Sequence, residues 1–257
     1  MAKESIIIKS PAEIELMRQA GKITAGARSI ARQAIADGVS TREIDKAVNE
    51  FIRKSGAIPT FKGYGGFPGS ACISVNDTVI HGIPGKRIIH NGDIVSVDVG
   101  ATYKGFVGDC AGTYACGEIS EEAKKLIEVT RQSFFEGLKF AKVGYRVNDI
   151  GAAIQEYVES HGYSVVREFV GHGVGREMHE LPEVPNYKVR LPSGNPRLIP
   201  GMTIAVEPMV NIGDWHVKVL DDGWTTVTAD GTLSAHYENT IAITDGEPEI
   251  LTMAEDI

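Results

Sequence analysis

Cysteine is scarce in this chain, and its cysteines follow no familiar pattern. The 257 residues include three, Cys72, Cys110 and Cys116, and no two of them are spaced as a Cys-x-x-Cys pair. An odd number without such a pair indicates neither a disulfide framework nor a thiolate zinc site. We therefore expect the protein to be cytoplasmic, because thiols stay reduced there.

Long apolar segments are also missing. The run Ile6-Ile7-Ile8 follows a polar start and is too short to be the core of a signal peptide. No stretch of the sequence approaches the ~18 apolar residues that a membrane-spanning helix needs. We expect no association with a membrane.

Positive charge is in deficit. Lysine and arginine total 26 against 34 aspartates and glutamates, which gives a formal net charge of −8. We therefore expect no stable binding to nucleic acid. Hydrophobic residues at 42% and charged residues at 23% are ordinary globular values and exclude wholesale disorder.

The hydrophobic pattern predicts two helices followed by strands, and this order occurs twice. Capping boxes at Ser10–Glu13 and Ser40–Glu43 each begin a helical pattern, and these patterns stop near Gly38 and Gly56. The other segments predicted are strands at 71–76, 93–99 and 103–116, helices at 120–142 and 148–161, and strands at 165–170, 203–210, 217–220, 224–228 and 235–244.

Two short echoes support a duplication. The segment His81-Gly82-Ile83-Pro84 resembles His179-Glu180-Leu181-Pro182, and residues 92–98 resemble residues 201–207 in the same order. We infer an α+β fold with two pseudo-twofold-related halves, about 10–117 and 118–250, within a single domain over residues 1–257. They would share a mostly antiparallel sheet flanked by helices.

Two aspartates lie on a predicted hairpin. A turn within residues 100–105 would bring Asp98 and Asp109 close together across the ladder. Because neighbouring carboxylates repel each other, this arrangement makes sense if a cation lies between them. The alternative, that the register slips by one residue and one aspartate faces water, remains open at this point.

Four further side chains are candidates for the same site. Glu207 echoes Asp98, and Glu238 precedes an apolar run, so each would need a partner if buried. His172 lies in Gly171-His172-Gly173-Val174-Gly175, where the glycines indicate a tight turn or a close backbone approach, and His179 follows seven residues later. Solvent-facing glutamates and structural histidines are the ordinary alternatives.

Charge balance joins these candidates into one site. Four carboxylates would carry a charge of about −4, which two divalent cations neutralise, and paired metals are a known device for hydrolysis. Oxygen donors with one imidazole suit manganese, iron, cobalt or zinc.

The motifs resemble those of a known family. The sequence is similar, from about Ser10 to Leu251, to the type I methionine aminopeptidases of the bacterial short form, metallopeptidases with the pita-bread (creatinase/aminopeptidase-like) fold. The motifs that carry the resemblance are 72–76, 81–84, 96–100, 108–109, 171–175, 179–180, 206–209 and 237–240.

The resemblance implies a role for each candidate residue. Asp109 and Glu238 would bridge two divalent ions (cobalt, manganese, iron, zinc or nickel), Asp98 would bind one ion, and His172 with Glu207 would bind the other. A hydroxide bridging the two ions would attack the peptide. Glu207 would also be the general base, His179 would stabilise the oxyanion, and His81 would contact the substrate and help protonate the leaving amine.

The resemblance also implies a closed apolar pocket for the methionine side chain. Family matching places Tyr64, Phe67, Cys72 and Trp224 in its wall, with Phe61 and Met178 beside them. Many relatives have cysteine at the first of those neighbouring positions and phenylalanine at the second, so pocket details differ here. Cys72 is interpreted as a wall residue and not a nucleophile, and ordinary core packing is the alternative for each aromatic side chain.

The implied function is excision of the initiator methionine during protein maturation. Substrates would be nascent polypeptides and short peptides with N-terminal methionine and a small second residue, with transient contact to the ribosome and a monomeric enzyme. No cysteine-rich segment precedes residue 10, and the 28 residues from His179 to Glu207, which include a predicted surface loop at 191–196, leave no room for the insertion of type II enzymes.

Two other functions remain open at this point. One is an Xaa-Pro aminopeptidase or dipeptidase of the same fold, and the other is a non-catalytic binding module on the same scaffold. The first would share the metal ligands, whereas the second would be expected to lose them.

Overall fold

The computed structural model describes residues 5–189 and 194–253. The loop predicted at 191–196 therefore lies partly outside the described residues. Within the described part of the chain, no helix is long and apolar enough to cross a membrane.

In residues 5–189 and 194–253, four α-helices cover one face of the main sheet. Ser10 and Ser40 close complete capping boxes with Glu13 and Glu43, as the sequence predicts, and Pro11 occupies the first turn of its helix. The helices are α1 (Pro11–Ala34), α2 (Thr41–Lys54), α3 (Glu121–Leu138) and α4 (Val147–Ser160).

The third helix is shorter than the sequence predicts. It ends at Leu138, so the prediction that Lys142 lies in its last turn is wrong. The ammonium groups make other contacts: Lys139 pairs with Glu136, and Lys142 reaches Glu247 at 2.9 Å.

One large antiparallel sheet forms the centre of the molecule. Its order is β1-β4-β5-β14-β9-β7-β8, with β2 paired to β4 and β15 paired to β14. Its strands are β1 (Ile58–Pro59), β2 (Ala71–Val75), β4 (Ile94–Tyr103), β5 (Phe106–Ala115), β7 (Gly171–Gly173), β8 (Glu180–Val184), β9 (Thr203–Val206), β14 (Glu238–Ala242) and β15 (Glu249–Ile250).

Two small sheets and a 3₁₀ turn are the other elements of the described residues. A 3₁₀ turn spans Tyr64–Gly66. One small sheet has the order β13-β10-β6 and the other β11-β12-β3. Their strands are β3 (Thr78–Ile80), β6 (Ser164–Val165), β10 (Met209–Asn211), β11 (Val217–Val219), β12 (Thr226–Thr228) and β13 (Ser234–His236).

Two long predicted strands are interrupted. The strand predicted at 203–210 breaks at Glu207-Pro208, where proline offers no N–H to a ladder, and the strand predicted at 235–244 breaks at Tyr237. The main-chain N–H of Tyr237 donates to the carbonyl of Pro208, so the two breaks face each other. Both therefore lie beside the predicted glutamates.

Each pair of helices buries its own apolar core against the sheet. Ile44, Val48 and Ile52 of α2 pack with Val95, Val97 and Val99 of β4. The larger core joins α3 and α4 to the strands of the second half through residues such as Leu126, Phe134 and Ile154. Burial of this kind stabilises the packing of the helices on the sheet by about 25 cal/mol per Å² of apolar surface.

Candidate active site

The β4–β5 hairpin places Asp98 and Asp109 on the same face of the sheet. Its turn is Lys104-Gly105, and both residues have positive φ (48° and 80°), as a two-residue type I′ turn requires. Asp98 pairs with Ala111, whereas Gly100 pairs with Asp109. The turn lies within the predicted residues 100–105, and the register is offset by two residues from one that would set the aspartates directly opposite. Because side chains alternate with period two, both still project together as diagonal neighbours.

The two glutamates extend this row across the sheet. Glu238 pairs with Ala111 from the other side, and Asn239 pairs with Val206 on the next strand, which sets Glu207 beside Glu238. Residues paired across antiparallel strands point the same way. Four acidic side chains from both halves of the chain thus converge on one face.

His172 joins the acidic group from the neighbouring strand. It lies in β7 and not in a turn, so of the two alternatives for its glycines the close approach is the observed one: a Cβ on Gly171 would lie 2.4 Å from the carbonyl oxygen of Ala205. Its Nδ1 lies 2.8 Å from the carbonyl of Gly173, which leaves Nε2 facing the acids. That atom lies 3.6 Å from a carboxylate oxygen of both Asp109 and Glu207.

Several of these oxygens have no hydrogen-bond partner. Among the described residues, Asp98 Oδ1, Asp109 Oδ1 and Glu238 Oε1 are buried and receive no hydrogen bond. Potential ligand atoms of Asp109, His172 and Glu238 lie within 4.8 Å of one another. Because buried carboxylates need a positive partner, this donor set fits divalent cations of the kind the sequence predicts.

The pKa values of the four acids show how costly the site is without a cation. Burial raises the pKa of Asp98, Glu207 and Glu238 well above the usual range, and the neighbouring carboxylates raise it further. Burial also raises the pKa of Asp109 to about 7. A cation between these groups would favour their ionised forms.

His81 and His179 lie beside the acidic group and remain neutral at pH 7. Burial lowers the pKa of each to about 4. The rings of His172 and His179 are 4.3 Å apart between centroids, and Nδ1 of His179 lies 2.7 Å from the hydroxyl of Tyr64. Neutral imidazoles at this position can donate or accept a hydrogen bond without bringing in a charge.

An aromatic cavity of about 180 Å³ opens onto these groups. Phe67 and Trp224 meet edge to face at 5.2 Å between ring centroids. Burial raises the pKa of the Cys72 thiol well above its ordinary value, which is unfavourable for a nucleophile. The cavity brings together every predicted site residue: Phe61, Tyr64, Phe67, Cys72, His81, Asp98, Asp109, His172, Met178, His179, Glu207, Trp224 and Glu238.

Sequence reasoning missed three lining residues, Ile80, Phe169 and Val170. Phe169 packs against His81 edge to face, with 5.5 Å between ring centroids. The available signal was adjacency, since Phe169-Val170 directly precede the glycine-rich motif and Ile80 directly precedes His81.

Comparison with known proteins extends over nearly the whole chain. The family model for metallopeptidase family M24 matches residues 15–245. Methionine aminopeptidase of Clostridium acetobutylicum is 57% identical over 251 residues, covering 97% of this chain and 100% of the relative. The solved structure of methionine aminopeptidase from Thermotoga maritima superposes with a TM-score of 0.94 at 49% identity, covering 97% of this chain and 100% of that one.

A more distant neighbour has the same fold in a longer chain. Prolidase from Pyrococcus furiosus gives a TM-score of 0.78 at 24% identity, over 97% of this chain but 66% of the prolidase. At that identity the likeness supports the pita-bread fold alone.

Proposed function

The chain belongs to metallopeptidase family M24, and from this premise we propose that it removes the N-terminal methionine from peptides and nascent proteins whose second residue is small. One observation supports this most strongly. Four acidic side chains and one imidazole converge on one face of the sheet, with buried carboxylate oxygens that lack partners among the described residues.

The family and the donor set indicate that the enzyme uses divalent metal. We propose two ions, with Asp109 and Glu238 shared between them, Asp98 on one ion, and His172 with Glu207 on the other. When bound, divalent ions lower the pKa of water from 15.7 towards about 7 and polarise the attacked carbonyl. Cobalt, manganese, iron, zinc and nickel all suit these ligands.

Three side chains at the site would transfer protons or donate hydrogen bonds during the reaction. Glu207 accepts the proton of the attacking water. The N–H of His179 donates to the carbonyl oxygen, where negative charge develops as the bond order falls. His81 lies on the same cavity wall and helps to deliver a proton to the leaving amine.

A hydrogen bond from Tyr64 would set the tautomer of His179. If its hydroxyl donates to Nδ1, the remaining ring proton resides on Nε2, the atom available to the substrate. Because burial holds the pKa of His179 at about 4, the ring is a neutral donor over the physiological range.

The cavity suits a single thioether side chain. Its volume of about 180 Å³ lies below the roughly 300–1,000 Å³ typical of pockets for drug-sized ligands. Sulfur–aromatic contacts contribute about 0.3–1.5 kcal/mol each, and Phe61, Tyr64, Phe67 and Trp224 provide rings. Met178 and Cys72 also line the cavity.

A comparison of peptides tests this function directly. Metal-loaded protein should release methionine from Met-Ala-Ser and leave Ala-Pro-Ser intact. Cleavage of the proline peptide in preference would instead favour the Xaa-Pro peptidase alternative. If the protein cleaves neither peptide, and mass spectrometry shows that it retains no metal after loading, a non-catalytic module would be favoured.

The cellular setting is a further part of the proposal. Because its proposed substrates include nascent chains, we expect the enzyme to act in the cytoplasm and to contact the ribosome transiently. The net charge of −8 favours a brief contact over stable binding to nucleic acid. We propose that the enzyme acts as a monomer and that residues 1–257 form one catalytic domain with pseudo-repeats near 10–117 and 118–250.

A further inference from the structure

His81 has a backbone conformation that is unusual for its residue type. Its φ is 58°, in the left-handed region. Among the described residues, the other non-glycine residues with positive φ are Asn76 and Lys104, and both lie in turns between consecutive strands. His81 directly follows β3 and does not lie in such a turn. Because these conformations persist only where the surrounding structure imposes them, the contacts next to His81 must supply the constraint.

Gly82, the next residue, is held by β2 through both of its main-chain groups. Its N–H donates to Oγ of Ser74 at 3.1 Å, and its carbonyl accepts the N–H of Ile73 at 2.9 Å. A Cβ at this position would lie 2.3 Å from the carbonyl oxygen of Ile73, so the two segments approach too closely for any side chain. Strand β2 therefore fixes the main chain directly after His81.

The hydrogen bond between Gly82 and Ser74 orients a peptide group that belongs to His81. The peptide between His81 and Gly82 is planar, and its orientation depends on ψ of His81. Ser74 is 2% exposed, and the hydrogen bond is buried. Loss of the serine oxygen would leave a buried N–H without an acceptor, and rotation of the peptide about ψ of His81 would relieve that cost.

Ser74 points to the face of the sheet that carries the site. In the β2–β4 ladder, Cys72 pairs with Asp98, and Ser74 pairs with Ser96. Because side chains alternate along a strand, Ser74 points to the same face as Cys72, which lines the cavity. Ser74 is not itself a lining residue, so its contact with the site runs through Gly82.

The imidazole of His81 lies between two aromatic side chains of the cavity wall. It meets Phe169 edge to face at 5.5 Å and Trp224 at 6.1 Å between ring centroids. Rotation of the main chain at His81 would move the imidazole relative to both rings and to a bound substrate. Such a movement is costly in an active site, because misplacement by about 1 Å can lower a rate by about 10²-fold.

We propose that Ser74 is a positioning residue for the reaction: its Oγ holds the peptide between His81 and Gly82 so that the imidazole of His81 faces the bond to be cleaved. This inference rests on the proposed function, in which His81 contacts the substrate and helps to protonate the leaving amine. Ser74 does not touch the substrate. Its removal should therefore lower turnover only while His81 is present.

A double-mutant cycle with the manganese-loaded enzyme tests this dependence. Hydrolysis of Met-Ala-Ser is measured for wild type, Ser74→Ala, His81→Ala and the combined variant, with metal content and circular dichroism verified for each. Ser133→Ala is the matched control, because Ser133 is a buried serine of α3 whose hydroxyl donates to the carbonyl of Thr130. Ser74→Cys fills the same space with a weaker acceptor and replaces Ser74→Ala if the alanine variant does not fold.

Ser74→Ala should lower kcat about two- to tenfold, the effect of one lost hydrogen bond, with a smaller change in KM. In the His81→Ala background, the same substitution should leave kcat unchanged, and Ser133→Ala should match wild type. An equal decrease in both backgrounds would indicate a general structural role and overturn the inference. An unchanged kcat in Ser74→Ala would also overturn it.

NMR spectra of the histidine side chains report the position of His81 independently of turnover. In zinc-loaded protein with isotope-labelled histidine, the His81 signal is assigned by its absence in His81→Ala. Ser74→Ala should shift this signal, because the ring moves relative to Phe169 and Trp224, while the signal of His161 at the end of α4 should stay in place.

An unchanged His81 signal in Ser74→Ala would overturn the inference even in an active enzyme. If metal-loaded wild type does not cleave Met-Ala-Ser, the proposed function fails. The NMR comparison then decides by itself whether Ser74 positions His81.

Discussion

The hydroxyl of Tyr64 lies 2.7 Å from Nδ1 of His179. A side chain assigned to the methionine pocket thus also contacts the imidazole assigned to the oxyanion. Because Nδ1 has this partner, the orientation of His179 depends on a residue 115 positions earlier in the chain.

Replacement of Tyr64 by phenylalanine should lower kcat for Met-Ala-Ser more than it raises KM. A lost hydrogen bond of about 0.5–1.5 kcal/mol corresponds to a decrease of about two- to tenfold. Steady-state kinetics with the metal content verified measures this. Tyr145→Phe, outside the cavity, is the control, and an effect on KM alone would refute the orienting role.

Replacement of Glu207 by glutamine should abolish most turnover while the fold persists. Loss of a general base typically costs about 10²–10⁴ in rate, and one metal ligand becomes weaker. Turnover is measured at saturating manganese, with circular dichroism to verify folding. The exposed Glu122→Gln should behave as wild type, and near-normal turnover of Glu207→Gln would contradict its assignment.

Metal-free protein should become less stable as the pH rises. An aspartate in the unfolded chain has a pKa of about 3.9, whereas burial raises the pKa of Asp109 to about 7 in the folded protein. The folded state therefore binds this proton more tightly, and the resulting stability is present at low pH and lost as the pH rises through about 7.

Asp109→Asn removes this carboxyl, while the histidines, whose lowered pKa values act in the opposite direction, are present in both proteins. Both proteins are measured with a chelator present. The free energy of unfolding of Asp109→Asn, relative to that of wild type, should increase by an amount on the order of 2–4 kcal/mol as the pH rises from about 5 to about 8. Urea unfolding at several pH values measures the difference, with the exposed Asp221→Asn as control. A pH-independent difference would refute the assigned pKa.

A buried ion pair supports the segment that carries His179. The ammonium of Lys9 pairs with Glu180, and these side chains are 2% and 3% exposed. The same carboxylate accepts the main-chain N–H groups of Arg176 and Glu177. It thus anchors the loop directly before β8.

Lys9→Met should therefore destabilise the protein strongly and lower activity. Removal of one partner of a buried pair costs about 3–5 kcal/mol, whereas Lys9→Met/Glu180→Gln should recover part of that loss. Urea unfolding provides the free energies. The exposed pair Lys54–Glu50 is the matched control, and Lys54→Met should cost less than about 1 kcal/mol. Equal effects of the two lysine variants would contradict the anchoring role.

Local signals in the sequence predict the helix starts well. Both serine capping boxes begin helices where they should, because capping depends on residues three apart. The thirteen predicted site residues line one cavity. The sequence pointed to them as a set, through motifs that were recognised together. A single residue such as His172, taken alone, did not distinguish a metal ligand from a structural histidine.

The strand register and the breaks within strands could not be predicted from such local signals. The Lys104-Gly105 turn moves the hairpin register by two residues, a choice set by turn geometry that composition within 100–105 does not specify. The break at Glu207-Pro208 and the strand at His172 depend on partners far away in sequence.

The most direct test is an anomalous diffraction map from crystals of the manganese-loaded enzyme. The account predicts two manganese peaks among Asp98, Asp109, His172, Glu207 and Glu238, with Asp109 and Glu238 between them. A map with no peak among these side chains, from an enzyme that cleaves Met-Ala-Ser at full rate, would contradict it.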